Sequence, residues 1–177
     1  DKSKYLNELL TEYHFWMDET NYRSVEITET QSLNRYYDNL NSPRTEMYAK
    51  DYELKGAIDD THFYTNVKAA CESGWDFSTR WLLDPYNLNT IATIDIIPVD
   101  LNCLLYTLEQ TISSIYHLKS DSINAKLFEN KATKRSESIL QYFWNEDQGY
   151  FFDYNYMTST QTAVISLAGL FPLFIGI

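Results

Sequence analysis

Glycine, cysteine and histidine are all scarce in this sequence, and their scarcity excludes several kinds of functional site. The chain has 5 glycines in 177 residues and no glycine-rich phosphate-binding loop. Cys71 and Cys103 have no CxxC or histidine-spaced companion, so we expect buried free thiols and no zinc or redox site. His14, His62 and His117 are too scattered to form a metal-spaced pair, and no Ser-His-Asp arrangement is recognisable. The sequence therefore predicts neither a metal nor a cofactor.

Basic residues are also few. Lysine and arginine number 14 against 25 aspartate and glutamate residues, which gives a formal net charge of -11 at pH 7. No basic stripe offsets this charge, so the protein would repel nucleic-acid backbones and anionic lipid. We therefore predict that its partners include neither nucleic acid nor a membrane.

Long hydrophobic runs are absent before the last residues, so the sequence offers no signal peptide and no membrane span. The closing segment, residues 162–177, is nearly uncharged, but it is short for a bilayer crossing and contains Pro172. We predict a buried helix there. We expect a soluble protein, in the cytoplasm, in the periplasm or secreted, and the sequence leaves its compartment and oligomeric state open.

Helical periodicity, by contrast, is abundant. The hydrophobic content of 44% in 177 residues is enough for one sizeable core and indicates one domain or a large part of one. Apolar residues recur every three or four positions in residues 4–19, 46–55, 61–71 and 101–115, and a further helix is predicted from near Ser122 to Phe143. Apolar and polar residues alternate in 24–30, which predicts a short extended or hairpin excursion near residues 23–37. The fold class is therefore mainly α.

One carboxyl group is surrounded in sequence by large rings. Asp76 lies between Trp75 and Phe77, with Trp81 close by. Rings beside a carboxyl favour its protonated form, as a proton donor requires, whereas a nearby cation such as Arg80 favours the ionised form. The sequence leaves both effects open. It also leaves open a structural alternative, in which Asp76 caps a helix beginning at Phe77 and the tryptophans belong to the core.

Four segments of the chain resemble the trehalases, the family of inverting hydrolases that split α,α-trehalose into two glucose molecules. They are, in the order that family shows, PRTEMY at 43–48, ESGWDFSTRW at 72–81, PVDLN at 98–102 and WNEDQGYFFDYN at 144–155. The resemblance extends from about Leu33 to the C-terminus, and the Gly-Trp-Asp-Phe-Ser run is its most specific part. It implies trehalose as the substrate and a six-hairpin (α/α) toroid as the fold, of which this chain would supply about half.

The resemblance also assigns roles to four residues. Asp76 matches the family's general acid, Arg44 an active-site arginine, and Glu46 a carboxylate that holds sugar hydroxyls. Gly74 matches a position whose backbone lies against the substrate. A planar guanidinium with several donors and a carboxylate that accepts from two hydroxyls suit these roles chemically. Without the resemblance, Arg44 and Glu46 after Pro43 would be interpreted as an ion pair in a surface loop.

Two parts of the family's pattern are missing from the chain. These are the glycine-rich substrate-binding signatures that precede this region and the downstream segment that carries the catalytic base. An inverting glycosidase needs a second carboxyl roughly 6.5–9.5 Å from its acid. Asp100 and Asp153 are the alternatives in this chain, but the first fits a helix cap and the second a loop residue better.

We therefore expect residues 1–177 to form a single partial catalytic domain, an incomplete toroid with N-terminal and C-terminal portions missing. The apolar end of the chain at Ile177, with no helix-closing polar residue, agrees with a truncated chain. The fragment alone is predicted to be inactive, because it lacks the base. The alternatives are a related toroid glycosidase that acts on another glucoside, and an inactive fragment that binds sugar or serves as a helical scaffold.

Overall fold

The computed structural model describes residues 2–56 and 61–177. Within those ranges the helices are α1 (Leu6–Met17), α2 (Tyr48–Lys55), α3 (Phe63–Glu72), α4 (Val99–Leu118), α5 (Ser122–Phe143) and α6 (Phe171–Ile175). The strands are β1 (Ser24–Thr28), β2 (Gln31–Asn34), β3 (Ile96–Ile97), β4 (Trp144–Asn145), β5 (Tyr150–Phe151), β6 (Tyr154–Asn155) and β7 (Thr160–Gln161). Helices dominate, so the mainly α prediction is confirmed.

The centre of the molecule is an antiparallel pair of long helices, α4 and α5, which share the most extensive helix contact. Leu105, Ile112 and Ile115 on α4 are buried, as their spacing predicts. Helix α5 spans the residues predicted for it, and Asp121 caps its start by accepting a hydrogen bond from the Asn124 N–H at 3.1 Å. Helix α1 packs on α4, and α6 packs on α4 elsewhere.

The predicted excursion near residues 23–37 is a β-hairpin. Strands β1 and β2 are antiparallel, with Val25 opposite Leu33 and a register irregularity between Glu26 and Thr28. Val25 and Leu33 are buried and belong to a core cluster that also contains Ile139 of α5. The alternation of apolar and polar residues therefore places one face of the hairpin on the helix pair.

A polar network joins this hairpin to the two long helices. The Arg135 guanidinium of α5 donates to Glu109 of α4 at 2.9 Å and 3.1 Å, and to the side-chain oxygens of Asn34 at 3.0 Å and Asn102 at 2.9 Å. The Asn34 backbone N–H donates to the Asn102 side chain at 3.0 Å. All four residues are buried. Because buried polar groups are costly when unpaired, this network fixes the position of the hairpin on the helices.

The closing apolar segment does not form the buried helix that its composition predicts. A 3-10 turn at Leu167–Leu170 leads into the short α6, in which Pro172 occupies the first turn. Proline starts a helix readily but cannot continue one, so the helix begins beside it. Leu173 and Phe174 are 66% and 83% exposed, and the prediction of burial is wrong for them. No helix within the described ranges is both long and apolar enough to cross a membrane.

Candidate functional site

The Gly74–Asp76 segment forms a tight turn at the end of α3. Gly74 and Asp76 both adopt the left-handed backbone region, with φ of +72° and +38°. The Ser73 hydroxyl accepts a hydrogen bond from the Trp75 N–H at 3.0 Å, which holds the turn from inside. Asp76 is exposed and Trp75 is half-buried. The turn therefore presents the carboxyl at the surface of the described chain.

Asp76 is not a helix cap, so the structural alternative for this residue is wrong. The next helical turn is the 3-10 turn Thr79–Trp81, and Ser78 caps it by accepting a hydrogen bond from the Arg80 N–H at 3.3 Å. Trp81 is fully buried in the core, as that alternative expected. The left-handed conformation of Asp76, uncommon for a residue with a β carbon, is a local strain of the kind that recurs at functional sites.

Arg44 is bound by a buried carboxylate that the sequence did not reveal. Its Nε donates to Asp51 Oδ2 at 2.9 Å, its Nη2 donates to Oδ1 at 2.6 Å, and its backbone N–H donates to Oδ2 at 3.0 Å. Asp51, on α2, is only 1% exposed. The alternative of a surface ion pair between Arg44 and Glu46 is therefore wrong, because the arginine turns inward to Asp51.

One sequence signal could have identified Asp51. It lies three residues before Leu54, on the same face of α2, and four residues after Met47, which ends the 3-10 turn before that helix. Leu54 packs against the core. An acidic residue in the apolar stripe of a helix is buried, and a buried carboxylate requires a partner. The sequence does not indicate that the partner is Arg44.

Arg44 also reaches the segment that carries Asp76. Its Nη1 donates to Cys71 Sγ at 3.3 Å, near the end of α3. Its guanidinium carbon lies 5.2 Å from the centroid of the Phe77 ring, directly after Asp76. The structure therefore brings together two of the segments that the sequence singled out, 43–48 and 72–81.

The electrostatics of this contact keep both partners charged. Burial raises the pKa of Asp51, but the hydrogen bonds from Arg44 outweigh it and hold the pKa below its usual range. The same hydrogen bonds raise the pKa of Arg44. Burial raises the pKa of the Cys71 thiol, against the opposing effect of Arg44, and the Asp76 carboxylate raises it further. Cys71 is thus a neutral thiol beside a permanently charged arginine.

Arg80, the cation expected to compete for Asp76, is engaged elsewhere. It is fully buried, and its guanidinium donates to Asp153 at 2.8 Å and 2.8 Å and to Asp100 at 3.0 Å and 2.8 Å. Its guanidinium carbon lies 4.7 Å from the centroid of the Trp75 ring. The two carboxylates outweigh burial and raise the pKa of Arg80. Its charge is therefore balanced without Asp76.

The same cluster determines what Asp100 and Asp153 do. Helix α4 begins at Val99, after Pro98, so Asp100 lies in its first turn and does not cap it. The first N–H of the helix, on Val99, donates instead to Asp153 Oδ1 at 3.0 Å. Both carboxylates are buried and hydrogen-bonded on both oxygens, which leaves neither free to activate a water molecule.

Glu46 lies two residues after Arg44 and Gly74 two residues before Asp76, and both are exposed. Glu46 is exposed in the 3-10 turn Thr45–Met47, and its carboxylate has no hydrogen bond or ion pair to any residue in 2–56 or 61–177. A β carbon added at Gly74 would meet no atom within 4 Å. The site thus consists of a fixed arginine, a free carboxylate and a strained turn with an exposed carboxyl.

Two cavities formed by the described residues lie away from this site. One of about 450 Å³ lies between α1, the β1–β2 hairpin and α5, and one of about 470 Å³ lies between α4 and α5. Neither is lined by Arg44, Glu46, Gly74 or Asp76. Across 2–56 and 61–177, no three His, Cys, Asp or Glu side chains cluster as metal ligands.

Comparison with known proteins identifies relatives of the whole chain. The family model for trehalase matches residues 2–177. The periplasmic trehalase of Citrobacter koseri is 36% identical over 98% of this chain and 32% of that protein. The periplasmic trehalase of Shigella flexneri is 33% identical over 98% of this chain and 33% of that protein. The chain thus spans about a third of the length of these relatives.

A solved structure shows the same fold. The neutral trehalase of Saccharomyces cerevisiae superposes with a TM-score of 0.55 over 74% of this chain and 24% of that chain, at 24% identity. The described helices are part of a six-hairpin (α/α) toroid, and the fold class expected from the sequence is confirmed.

Proposed function

The chain belongs to the trehalase family, and from that membership we propose that it is part of a glycoside hydrolase that cleaves α,α-trehalose into two glucose molecules. We propose further that residues 1–177 are one partial catalytic domain of a longer toroid. The coverage of only about a third of the relatives' length supports this second point.

The proposed proton donor is Asp76. In an inverting glycosidase the acid protonates the glycosidic oxygen as the bond to the anomeric carbon breaks, while a second carboxylate activates water on the opposite face. Asp76 is accessible to a ligand, in a turn held by the hydrogen bond from the Trp75 N–H to the Ser73 hydroxyl, and this accessibility supports direct contact with the glycosidic oxygen. The observation that carries the proposal is the approach of Arg44 to Phe77, because it joins the binding segment to the acid segment.

Arg44, Glu46 and Gly74 are the proposed binding residues. Arg44 would donate to sugar hydroxyls, and Glu46, unpaired within the described ranges, would accept from them. Gly74 permits the positive φ of the turn and leaves its outer side clear for a sugar ring. These contacts would orient the glycosidic oxygen toward Asp76.

The catalytic base is proposed to lie outside these 177 residues. Asp100 and Asp153 are the carboxylates that sequence reasoning considered for it. Their engagement by Arg80 argues against both, because protonating either would break a buried ion pair. Asp76 is then one member of a catalytic pair whose partner another segment supplies.

Substitution of the acid tests this proposal. In the full-length enzyme, Asp76→Asn should lower the kcat for trehalose by about 10²–10⁴-fold, the usual contribution of a general acid. The melting temperature should stay unchanged, because the side chain is exposed. Asp147→Asn, at another exposed aspartate, is the matched control and should retain full activity.

Near-normal turnover by Asp76→Asn would refute the assignment. A substrate panel tests the specificity separately. The full-length enzyme should cleave trehalose and leave maltose and nitrophenyl glucosides intact, and comparable rates on all three would indicate a glycosidase of another specificity.

A further inference from the structure

Asp51 makes three hydrogen bonds to a single residue, and no sugar could touch it. Both of its oxygens are used by Arg44, with two bonds from the guanidinium and one from the backbone N–H. At 1% exposure it lies behind the arginine. Among the described residues, Arg44 is the one that links Asp51 by hydrogen bonds to the proposed sugar-binding surface.

The geometry of these bonds leaves a defined part of the guanidinium free. Asp51 occupies Nε and one N–H of Nη2, and Cys71 takes one N–H of Nη1. Within the described chain, one N–H on each terminal nitrogen then remains without a partner. These two N–H bonds are the ones available to sugar hydroxyls.

The backbone bond matters as much as the side-chain bonds. Because the Arg44 N–H also donates to Asp51, the carboxylate fixes both ends of the arginine side chain. Arg44 begins the turn that contains Glu46, so the same contact sets the position of that turn. Long side chains lose rotamer freedom when they bind, and an arginine already fixed loses less.

We propose that Asp51 is a positioning residue of the sugar-binding site, which holds Arg44 so that its two free N–H bonds face the substrate. This inference rests on the proposed function, because it takes Arg44 as a ligand of the sugar. Asp51 touches neither the substrate nor the reacting atoms. It acts by fixing the Arg44 side chain in advance, so that Arg44 loses less conformational entropy when the sugar binds.

The test is a double-mutant cycle in the full-length enzyme, with Asp51→Asn, Arg44→Gln and the double variant. Asp51→Asn keeps the size of the side chain but removes its charge and one acceptor. We expect the KM for trehalose to rise roughly tenfold with kcat changed less than about threefold, since uniform binding is lost. In the Arg44→Gln background the same change should alter KM by less than about twofold.

Glu53→Gln provides the matched control, because Glu53 is an exposed carboxylate on the same helix. It should leave KM unchanged. Trehalose binding to each variant in an Asp76→Asn background, measured by calorimetry on protein shown to be folded by near-ultraviolet circular dichroism, gives affinity without turnover. A lower affinity in folded Asp51→Asn protein supports positioning.

Two outcomes separate this inference from the proposed function. If Arg44→Gln raises KM but Asp51→Asn does not, or if the two effects are additive, Asp51 has only a structural role and the inference is wrong. If Arg44→Gln itself leaves KM and affinity unchanged in folded protein, Arg44 is not a sugar ligand. That second result would overturn the binding role under the proposed function, and the inference with it.

Discussion

At the scale of single residues, arginines bound to buried carboxylates account for much of this molecule's organisation. The described contacts are Arg44 with Asp51, Arg80 with Asp100 and Asp153, and Arg135 with Glu109. Each arginine uses several donors of its planar group on carboxylate oxygens, a geometry that lysine cannot reproduce. The three clusters differ in what surrounds them. The first two contact the segment that carries Asp76, Arg44 through the Phe77 ring and Arg80 through the Trp75 ring, and the first also holds the turn that contains Glu46.

The Arg80 cluster should be a major determinant of stability. Asp153→Ala would remove two hydrogen bonds from Arg80 and the acceptor for the first N–H of α4. Asp100 still pairs with Arg80 in this variant, but buried donors of Arg80 and Val99 lose their acceptor at about 1–3 kcal/mol each, so we expect the free energy of unfolding to fall by about 3–5 kcal/mol. Urea denaturation followed by circular dichroism would measure it.

Asp147→Ala is the control for that measurement, because Asp147 is exposed. Its effect should stay within about 0.5 kcal/mol. A loss below about 1 kcal/mol in Asp153→Ala would mean that water or Asp100 alone satisfies Arg80, and the cluster would then contribute little to stability.

At the scale of elements, Gly169 allows the Leu167–Leu170 turn to approach β5 more closely than any residue with a side chain could. A β carbon at Gly169 would overlap the Phe151 carbonyl oxygen and the Tyr150 ring. Neither neighbour can retreat easily, because Phe151 is paired in the β4–β5 ladder and the Tyr150 hydroxyl donates to the Ser166 carbonyl at 2.8 Å.

We therefore expect Gly169→Ala to destabilise the protein by about 1–3 kcal/mol through overpacking. The melting temperature of the purified variant would report it. Leu167→Ala in the same turn is the control, because that side chain is 71% exposed and its loss creates no clash. Equal melting temperatures for Gly169→Ala and wild type would show that the turn can shift away from β5.

At the scale of the whole molecule, the described residues form part of an (α/α) toroid, and we propose that the active site is completed by residues outside this chain. The α4–α5 pair is the structural centre. The candidate site consists of the turn that precedes α2 and the turn that follows α3. The site contains two exposed acids, Asp76 as the proposed proton donor and Glu46 as a proposed sugar ligand, while Asp100 and Asp153 are buried in an ion-pair cluster.

The 177-residue chain expressed alone is therefore expected to hydrolyse no trehalose. Release of glucose would be measured with a coupled assay, on protein whose helical circular dichroism melts cooperatively, with the full-length enzyme as the positive control. Reproducible glucose release that Asp76→Asn abolishes would contradict this expectation. It would require a base within these residues, and the proposed division of the catalytic pair would have to be abandoned.

Much of the architecture was predictable because it depends on local patterns. The bounds of α5 and the existence of the β1–β2 hairpin follow from periods of 3.6 and 2 in the placement of apolar residues. The closing segment was mispredicted because its composition is apolar throughout and contains no period, while Pro172 limits where a helix can begin. The sequence predicted that Asp100 caps α4. The acceptor for the first N–H of that helix is instead Asp153, which is distant in sequence.

The sequence by itself determined the mainly helical fold, the net negative charge, and the segments that resemble a glycosidase site. These properties reside in composition and in short runs of residues. Only the tertiary structure shows which carboxylate pairs with each arginine. Arg44 pairs with Asp51, and Arg80 pairs with Asp153, which lies 73 positions further along the chain. Charge pairing acts through space and has no period along the sequence, so folding must bring the partners together before either can be identified.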